Sequence, residues 1–255
     1  MKIKRMTLVL CGLCAICTGC AQTEMPEESF TKGEAENMIR ELTKEQEELL
    51  CTISVNKEKV QDGKLYDWQV EVLNQFEYAS EYLAEKYPSY SFKMVNCVPK
   101  NKTNSYTIFS FTEQSDNEKF YDLYLYVSEG EENIYEAKDN FYGEIKEEEL
   151  AEALLKLLQE EFPECVEVVT NVSYVQGREY DETLNVNQII NGELKMPQDT
   201  TIYMQSEALT ESEYQEKVKA INEFLTDKGI KGSYMILFVD KSEEETELYK
   251  GNFGI

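Results

Sequence analysis

Four stretches of the chain place apolar residues three and four positions apart, which is the spacing of one helix face. In the clearest stretch the apolar stripe consists of Trp68, Val72, Phe76, Ala79 and Leu83. Pro88 closes this stripe, because a proline cannot continue a helix. The pattern predicts helices over 32–51, 67–87, 146–161 and 212–228.

Shorter stretches rich in β-branched and aromatic residues predict strands. Three of them, SFKMVNCV, SYTIFSFT and FYDLYLYV, follow one another through polar turns, which predicts an antiparallel meander. Further strands are predicted at 166–175, 200–205, 233–240 and 247–253. A glycine- and asparagine-rich region precedes the second of these four strands.

One arrangement, a helix that turns within a few residues into a strand, occurs three times. It is found in EYLAEKYPSYSFKMVNCV, KLLQEEFPECVEVVTNV and NEFLTDKGIKGSYMILFVD. Amphipathic helices packed on antiparallel sheets predict an α+β fold. We place a boundary near Phe162 and Pro163, between halves 32–162 and 163–255. One continuous domain is the alternative interpretation.

The first 19 residues have a different character. Lys2, Lys4 and Arg5 precede an uncharged run from Met6 to Gly19, which is the layout of a secretory signal peptide. The run is 14 residues long, whereas a membrane-spanning helix needs about 20 apolar residues. The sequence therefore predicts export of the chain.

The end of this run, Thr18-Gly19-Cys20, resembles the lipobox of bacterial lipoproteins, although Cys17 stands where that motif usually has an aliphatic residue. The resemblance implies removal of residues 1–19 and attachment of a diacylglyceryl group, with fatty acids such as palmitate, to Cys20. Residues 20–31 would then be an acidic tether. Cleavage after Ala21, which releases a soluble protein, is the alternative.

The chain as a whole resembles the uncharacterised lipoproteins of low-GC Gram-positive bacteria. The similarity includes this start, the acidic tether, and the segment EYLAEKYPSYSFKMV followed by DNFY at 139–142. It implies a cell-membrane location, anchored by lipid and facing outside the cytoplasm. Two acyl chains hold a protein on a membrane durably, whereas one chain is marginal.

The charge of the chain narrows the classes of partner. The formal net charge is −25. Loss of the three signal-peptide cations leaves 22 basic against 50 acidic residues, or −28. A nucleic-acid partner requires clustered lysine and arginine, so none is predicted. The lipid anchor makes the membrane one expected partner, and an envelope protein or glycan is the expected further partner.

The chemistry available to the chain is limited by the absence of histidine. Histidine is the commonest general base and metal ligand, and the chain also lacks phosphate-binding, metalloprotease and serine-hydrolase motifs. We therefore predict no cofactor, no metal and a non-enzymatic binding or accessory module. The alternative is an envelope hydrolase that uses paired carboxylates, since glycoside hydrolysis needs no histidine.

The cysteines do not form an obvious disulfide framework. Three of the seven lie in the signal peptide, and Cys20 is the predicted lipid site. The remaining thiols, Cys51, Cys97 and Cys165, are odd in number and widely spaced. We therefore predict that the folded body needs no disulfide.

Two tyrosines are the candidate ligand contacts. Tyr124 and Tyr126 alternate with leucines along one predicted strand, so they share one face of the sheet. An exposed aromatic row can stack on a sugar or a partner surface. The alternative is a half-buried sheet with helices over the tyrosine face.

We predict that labelled fatty acid will be incorporated at Cys20 when the producing strain is grown with it. Cys20→Ala should lose the label because the thioether cannot form, whereas Cys17→Ala should retain it. Equal labelling of the wild type and Cys20→Ala would contradict the assignment.

Overall fold

The computed structural model describes residues 39–127, 135–172, 174–195, 199–205, 209–239 and 247–254. The helices are α1 (Lys44–Ile53), α2 (Lys57–Gln61), α3 (Asp67–Lys86), α4 (Phe141–Glu161), α5 (Asn187–Ile190) and α6 (Glu211–Asp227). Among these described helices, none is both long and apolar enough to cross a membrane.

The described strands form two sheets within one compact unit, Glu34–Ile255. They are β1 (Phe92–Val98), β2 (Tyr106–Glu113), β3 (Asp116–Val127), β4 (Tyr135–Asp139), β5 (Cys165–Asn171), β6 (Val175–Gln176), β7 (Asp199–Gln205), β8 (Ser233–Val239) and β9 (Glu247–Gly254). Helices pack on both sheets, so the predicted α+β class is confirmed.

The first sheet has the strand order β1-β2-β3-β4-β6, and all of its neighbours are antiparallel. The predicted meander is therefore present, extended by β4, which the pattern did not show, and by the short β6. The β4 sequence, YEAKD, is short and polar, which hides it from a search for apolar alternation.

The second sheet has the order β5-β7-β8-β9. Its β7 and β8 are parallel and are connected through α6, whereas its other pairs are antiparallel. The three predicted helix-to-strand units are all present, as α3–β1, α4–β5 and α6–β8.

Two helices begin at positions other than those predicted. The helix predicted from residue 32 begins at Lys44, because Thr43 and Gln46 form a capping box. Ile39 instead pairs with Lys64 in an isolated bridge, and residues 32–38 lie outside the described part. Helix α4 begins at Phe141, five residues before the predicted start.

The strand predicted over 166–175 is divided between the sheets. β5 ends at Asn171 in the second sheet, whereas Val175 and Gln176 pair with β4 in the first. The chain therefore enters the second sheet after Phe162 and returns briefly to the first. The chain after the predicted boundary thus contributes strands to both sheets.

Helix α3 packs on the inner face of the first sheet. Phe76 and Leu83, on the predicted stripe, are 7% and 0% exposed, and Phe109 and Leu123 of the sheet are fully buried. These side chains belong to one continuous apolar cluster. Burial of the stripe, more than helix propensity, holds a helix of this kind in place.

Cys51, Cys97 and Cys165 are free thiols in the described structure, and Cys97 and Cys165 are buried. Burial raises the pKa of Cys97 to about 12 and that of Cys165 to about 11. Both therefore remain protonated at neutral pH, and a protonated thiol is a poor nucleophile.

We predict that Leu83→Ala lowers the free energy of unfolding by about 2–5 kcal/mol and Phe76→Ala by about 3–5 kcal/mol, because each leaves a cavity in the core. Urea denaturation of the purified variants measures both changes. Val55→Ala is the control, since Val55 is 84% exposed and its loss should be nearly neutral. Core variants that unfold at the parent's urea midpoint would show that α3 does not pack in this way.

Candidate functional site

The outer face of the first sheet carries four tyrosines around one lysine. We call this set the tyrosine face, and its members are Tyr106, Tyr124, Tyr126, Tyr174 and Lys138. All five side chains are half-buried. The described helices pack on the opposite face, where Phe109, Leu123 and Leu125 belong to the core. The aromatic row is therefore left at the surface.

Strand register brings the tyrosines together. Tyr106 lies across from Tyr126, and the Tyr106 ring is 5.3 Å from that of Tyr126 and 5.2 Å from that of Tyr124. The Tyr174 ring meets the Tyr124 ring edge-on at 4.8 Å. Tilted and edge-on contacts of this kind avoid the unfavourable face-to-face arrangement, so the rings hold one another in place.

Lys138 fixes the centre of the tyrosine face. Strand pairing places it opposite Tyr124. Its Nζ lies 5.0 Å from the centre of the Tyr124 ring, 5.2 Å from that of Tyr126 and 5.8 Å from that of Tyr174. Among the described residues no carboxylate lies within ion-pair distance of Lys138. Its charge is stabilised by three ring faces instead.

Polar groups lie beside the rings. Asp122 occupies the same face of β3 as Tyr124, and its carboxylate accepts a hydrogen bond of 2.8 Å from the Ser110 hydroxyl. The backbone N–H of Asp122 donates to the Asn140 side-chain oxygen at 2.8 Å. An aromatic row edged by hydroxyl, carboxylate and amide groups is suited to a ligand that is part apolar and part polar.

Phe120 extends the row beyond the tyrosines. Even-numbered residues of β3 point outward, so Phe120 shares a face with Tyr124 and Tyr126, and it is 66% exposed. The row from Phe120 to Tyr126 is about 20 Å long at the usual rise of a strand. A surface of that length can contact several units of a chain-like ligand.

A cleft of about 650 Å³ opens at the Phe120 end of the row. It lies between β3, the first turns of α4 and the end of β5. Its lining is Lys119, Phe120, Tyr121, Asn140, Gly143, Glu144, Glu147, Glu148, Asn171, Val172 and Tyr174. Tyr174 belongs to both the cleft and the tyrosine face, so the two form one continuous surface.

Gly143 sets the width of the cleft at its base. A β-carbon on this residue would lie 2.7 Å from the Val172 carbonyl oxygen and 3.0 Å from the Val172 β-carbon. Only glycine therefore allows the first turn of α4 to approach the end of β5 this closely.

The two carboxylates on neighbouring turns of α4 have different surroundings. Glu144 forms an ion pair with Lys119 and a hydrogen bond with Tyr121. Glu147 is half-buried, and its Oε2 accepts a hydrogen bond of 3.3 Å from the Val172 N–H. Burial raises the pKa of Glu147, against the effect of that N–H, and the charge of Glu144 raises it further.

This arrangement bears on the hydrolase alternative. Residues three apart on a helix lie on one side of it, about 5–6 Å apart at their β-carbons. A glycosidase needs its two carboxyl groups on opposite sides of the bond that breaks. Glu144 and Glu147 therefore form one wall of the cleft and do not flank a bound ligand from two sides.

A buried polar cluster lies directly beneath the tyrosine face. The Lys86 Nζ donates to Asp139 Oδ2 at 2.7 Å, and both side chains are 0% exposed. The Tyr82 hydroxyl also contacts Oδ2, at 3.2 Å. Oδ1 accepts from the Tyr87 hydroxyl at 2.7 Å and from the Phe141 N–H at 3.1 Å. Both oxygens of the carboxylate are therefore satisfied.

Burial shifts the ionisation of the groups around this carboxylate. Desolvation lowers the pKa of Lys86, and the attraction of Asp139 opposes that shift. Desolvation raises the pKa values of Tyr82 and Tyr87, and the negative charge of Asp139 raises them further. The hydroxyls therefore remain protonated and act as donors to Asp139.

The buried polar cluster determines the position of the site through the two residues on either side of Asp139. Lys138 precedes it and points to the opposite face of β4, while Asn140 follows it and begins α4. Anchoring Asp139 to α3 therefore fixes both the cation of the tyrosine face and the start of the cleft wall.

The predicted contacts Tyr124 and Tyr126 do lie on one outward face; their role in binding stays a prediction. Cys20 lies outside the described residues. Sequence reasoning missed Lys138, Tyr174 and Phe120. Counting back from Tyr124 in steps of two would have found Phe120, whereas Lys138 and Tyr174 come together only through the pairing of β4 with β3 and β6. The described residues contain no group of histidine, cysteine, aspartate and glutamate side chains that could hold a metal ion.

Comparison with known proteins gives little similarity. No protein-family model matches the chain, and no curated protein matches it. Among solved structures, a DUF5037 family protein from Ruminococcus gnavus ATCC 29149 matches with 13% identity and a TM-score of 0.26. The match covers 64% of this chain and 74% of that protein. A similarity at this level establishes neither a shared fold nor a shared function.

We predict that Lys86→Met destabilises the fold by about 3–5 kcal/mol, because it leaves the buried Asp139 charge unpaired. Lys86→Met combined with Asp139→Leu should recover only part of that loss, since it removes the buried charge but leaves the Tyr82 and Tyr87 hydroxyls and the Phe141 N–H without their acceptor. Chemical unfolding measures both.

Lys44→Met is the matched control, because Lys44 is paired with Glu48 at the surface with its side chain 90% exposed. A Lys86→Met variant no less stable than Lys44→Met would show that the buried pair does not hold the β4–α4 junction.

Proposed function

We propose that the chain is a lipid-anchored, extracytoplasmic module that binds a glycan of the cell envelope through its tyrosine face. One observation carries this proposal: an aromatic row about 20 Å long lies on a sheet face that the described helices leave uncovered. The predicted signal peptide and Cys20 supply the location.

Aromatic rings on a flat sheet suit sugar rings. A pyranose has C–H groups on its faces and hydroxyls around its edge. Its faces can pack on Tyr106, Tyr124 and Tyr126 while its hydroxyls bond to neighbouring polar groups. Asp122 supplies an acceptor and Lys138 a donor beside the rings.

The mutual contacts of the rings add to affinity. The tyrosines pack on one another and on Lys138, so they lose little conformational freedom when a ligand arrives. A preformed surface binds more tightly than one that must order itself. Because the rings are held by their own side chains, the face is ready in the free protein.

Binding without turnover is favoured over hydrolysis. The ion pair with Lys119 offsets the charge of Glu144, and Glu144 shares one wall of the cleft with Glu147. The specific observation in favour of hydrolysis is the raised pKa of Glu147, which is typical of a general acid. The experiment below therefore includes a measurement of sugar release.

We predict that the purified chain binds isolated peptidoglycan and soluble chitotetraose, and that Tyr124→Ala weakens binding about tenfold. Loss of one packed ring corresponds to about 1.4 kcal/mol, which is a factor of ten in affinity. Sedimentation with peptidoglycan and titration calorimetry with the oligosaccharide measure the effect.

Tyr203→Ala is the matched control, because Tyr203 lies on β7, in the other sheet. Release of reducing sugar that disappears in Glu147→Gln would replace binding by hydrolysis as the function. Saccharide binding that is equal in wild type and Tyr124→Ala would exclude the tyrosine face as the binding surface.

A further inference from the structure

The cleft is continuous with the tyrosine face. Tyr174 lines the cleft and also packs edge-on against Tyr124. Asn140 lines the cleft and bonds to the backbone of Asp122 on the tyrosine face. A chain-like ligand that lies along β3 therefore reaches the cleft at its Phe120 end.

We propose that this cleft is a selectivity subsite that accepts a sugar carrying a free amino group. The inference rests on the proposed glycan binding and adds the chemical class of the ligand. In this arrangement the sugar packs on Phe120, and its ammonium group faces the α4 wall.

Phe120 supplies the contact for the sugar ring. It is 66% exposed at the mouth of the cleft, although it lies on the same face as the half-buried tyrosines. An aromatic ring this exposed gains contact area when a ligand covers it. The 650 Å³ cleft beside it has room for a sugar unit together with its substituents.

The charge of the cleft determines which substituent on the sugar is favoured. Two carboxylates of α4, from Glu144 and Glu147, line it beside the ammonium of Lys119. That ammonium is already paired with Glu144. The excess of negative charge disfavours anionic sugars and favours cationic ones.

Glu147 is the residue whose ionisation a cationic ligand would change most. It is half-buried, and within the described structure its carboxylate accepts one hydrogen bond, from the Val172 N–H. Desolvation makes its charged form costly, which is seen in its raised pKa. An ammonium group placed beside it offsets that cost, because an opposite charge favours the ionised carboxylate.

A sugar fits this surface better than a basic peptide does. Extended peptides commonly bind by adding a strand to a sheet edge. Over Leu123–Val127, β3 is paired with β2 on one side and with β4 on the other. The backbone groups of that stretch are occupied, so recognition along the tyrosines depends on side chains packing on rigid rings, and competition by tetralysine tests for a peptide at the Phe120 end.

The test compares chitotetraose with its fully de-N-acetylated counterpart, by calorimetry on the purified full chain at low and high salt. We expect the amine form to bind at least tenfold more tightly at low salt. Glu147→Gln should abolish this preference, so that the two forms bind the variant with similar affinity. Phe120→Ala should weaken both forms.

The control for general charge attraction is Glu152→Gln, since Glu152 is an exposed carboxylate elsewhere on α4. A preference that survives in Glu147→Gln, or that falls equally in Glu152→Gln, would overturn the subsite. The same holds if tetralysine competes as well as the amino sugar. Binding of the acetylated form with no amine preference overturns this inference alone, whereas binding of neither sugar overturns the proposed function.

Discussion

The contact between Lys86 and Asp139 is the constraint on which the site depends. An ion pair with both side chains fully buried is tolerated only when its remaining hydrogen-bonding capacity is satisfied. Here Tyr82, Tyr87 and the Phe141 backbone satisfy it. The last turn of α3, the end of β4 and the start of α4 therefore meet at one carboxylate.

The position of Asp139 determines the geometry of the tyrosine face, because side chains alternate between the two faces of the sheet along β4. Because Asp139 points inward, Lys138 points outward, into the ring of tyrosines. Because Asn140 begins α4, the carboxylates of the first turns of that helix face the cleft. A polar group in the core thus determines the placement of charges at the surface.

The elements that sequence reasoning identified are those with strong periodicity. The stripe containing Phe76 and Leu83 predicted α3 to within one residue, and the strand pattern predicted the meander and the common face of Tyr124 and Tyr126. The pattern gave no sign of β4, whose YEAKD sequence has no apolar period. Lys86 and Asp139 are far apart in the chain and charged, so only the fold shows that they are partners. For the same reason the composition of the cleft, drawn from β3, α4 and the end of β5, could not be predicted.

The parallel pairing of β7 with β8 has a consequence for the order in which the body can assemble. A chain that emerges N-terminus first presents β1 to β4 in sequence, and each strand pairs with the one before it. β5 must wait for β7, and β7 gains its second neighbour only after all of α6 has emerged. Nascent chains would therefore carry a formed meander while the second sheet is still unpaired. Until β7 arrives, the unpaired backbone of β5 is open to wrong partners, and Val166 and Val169, which stay exposed in the folded chain, add apolar surface to it.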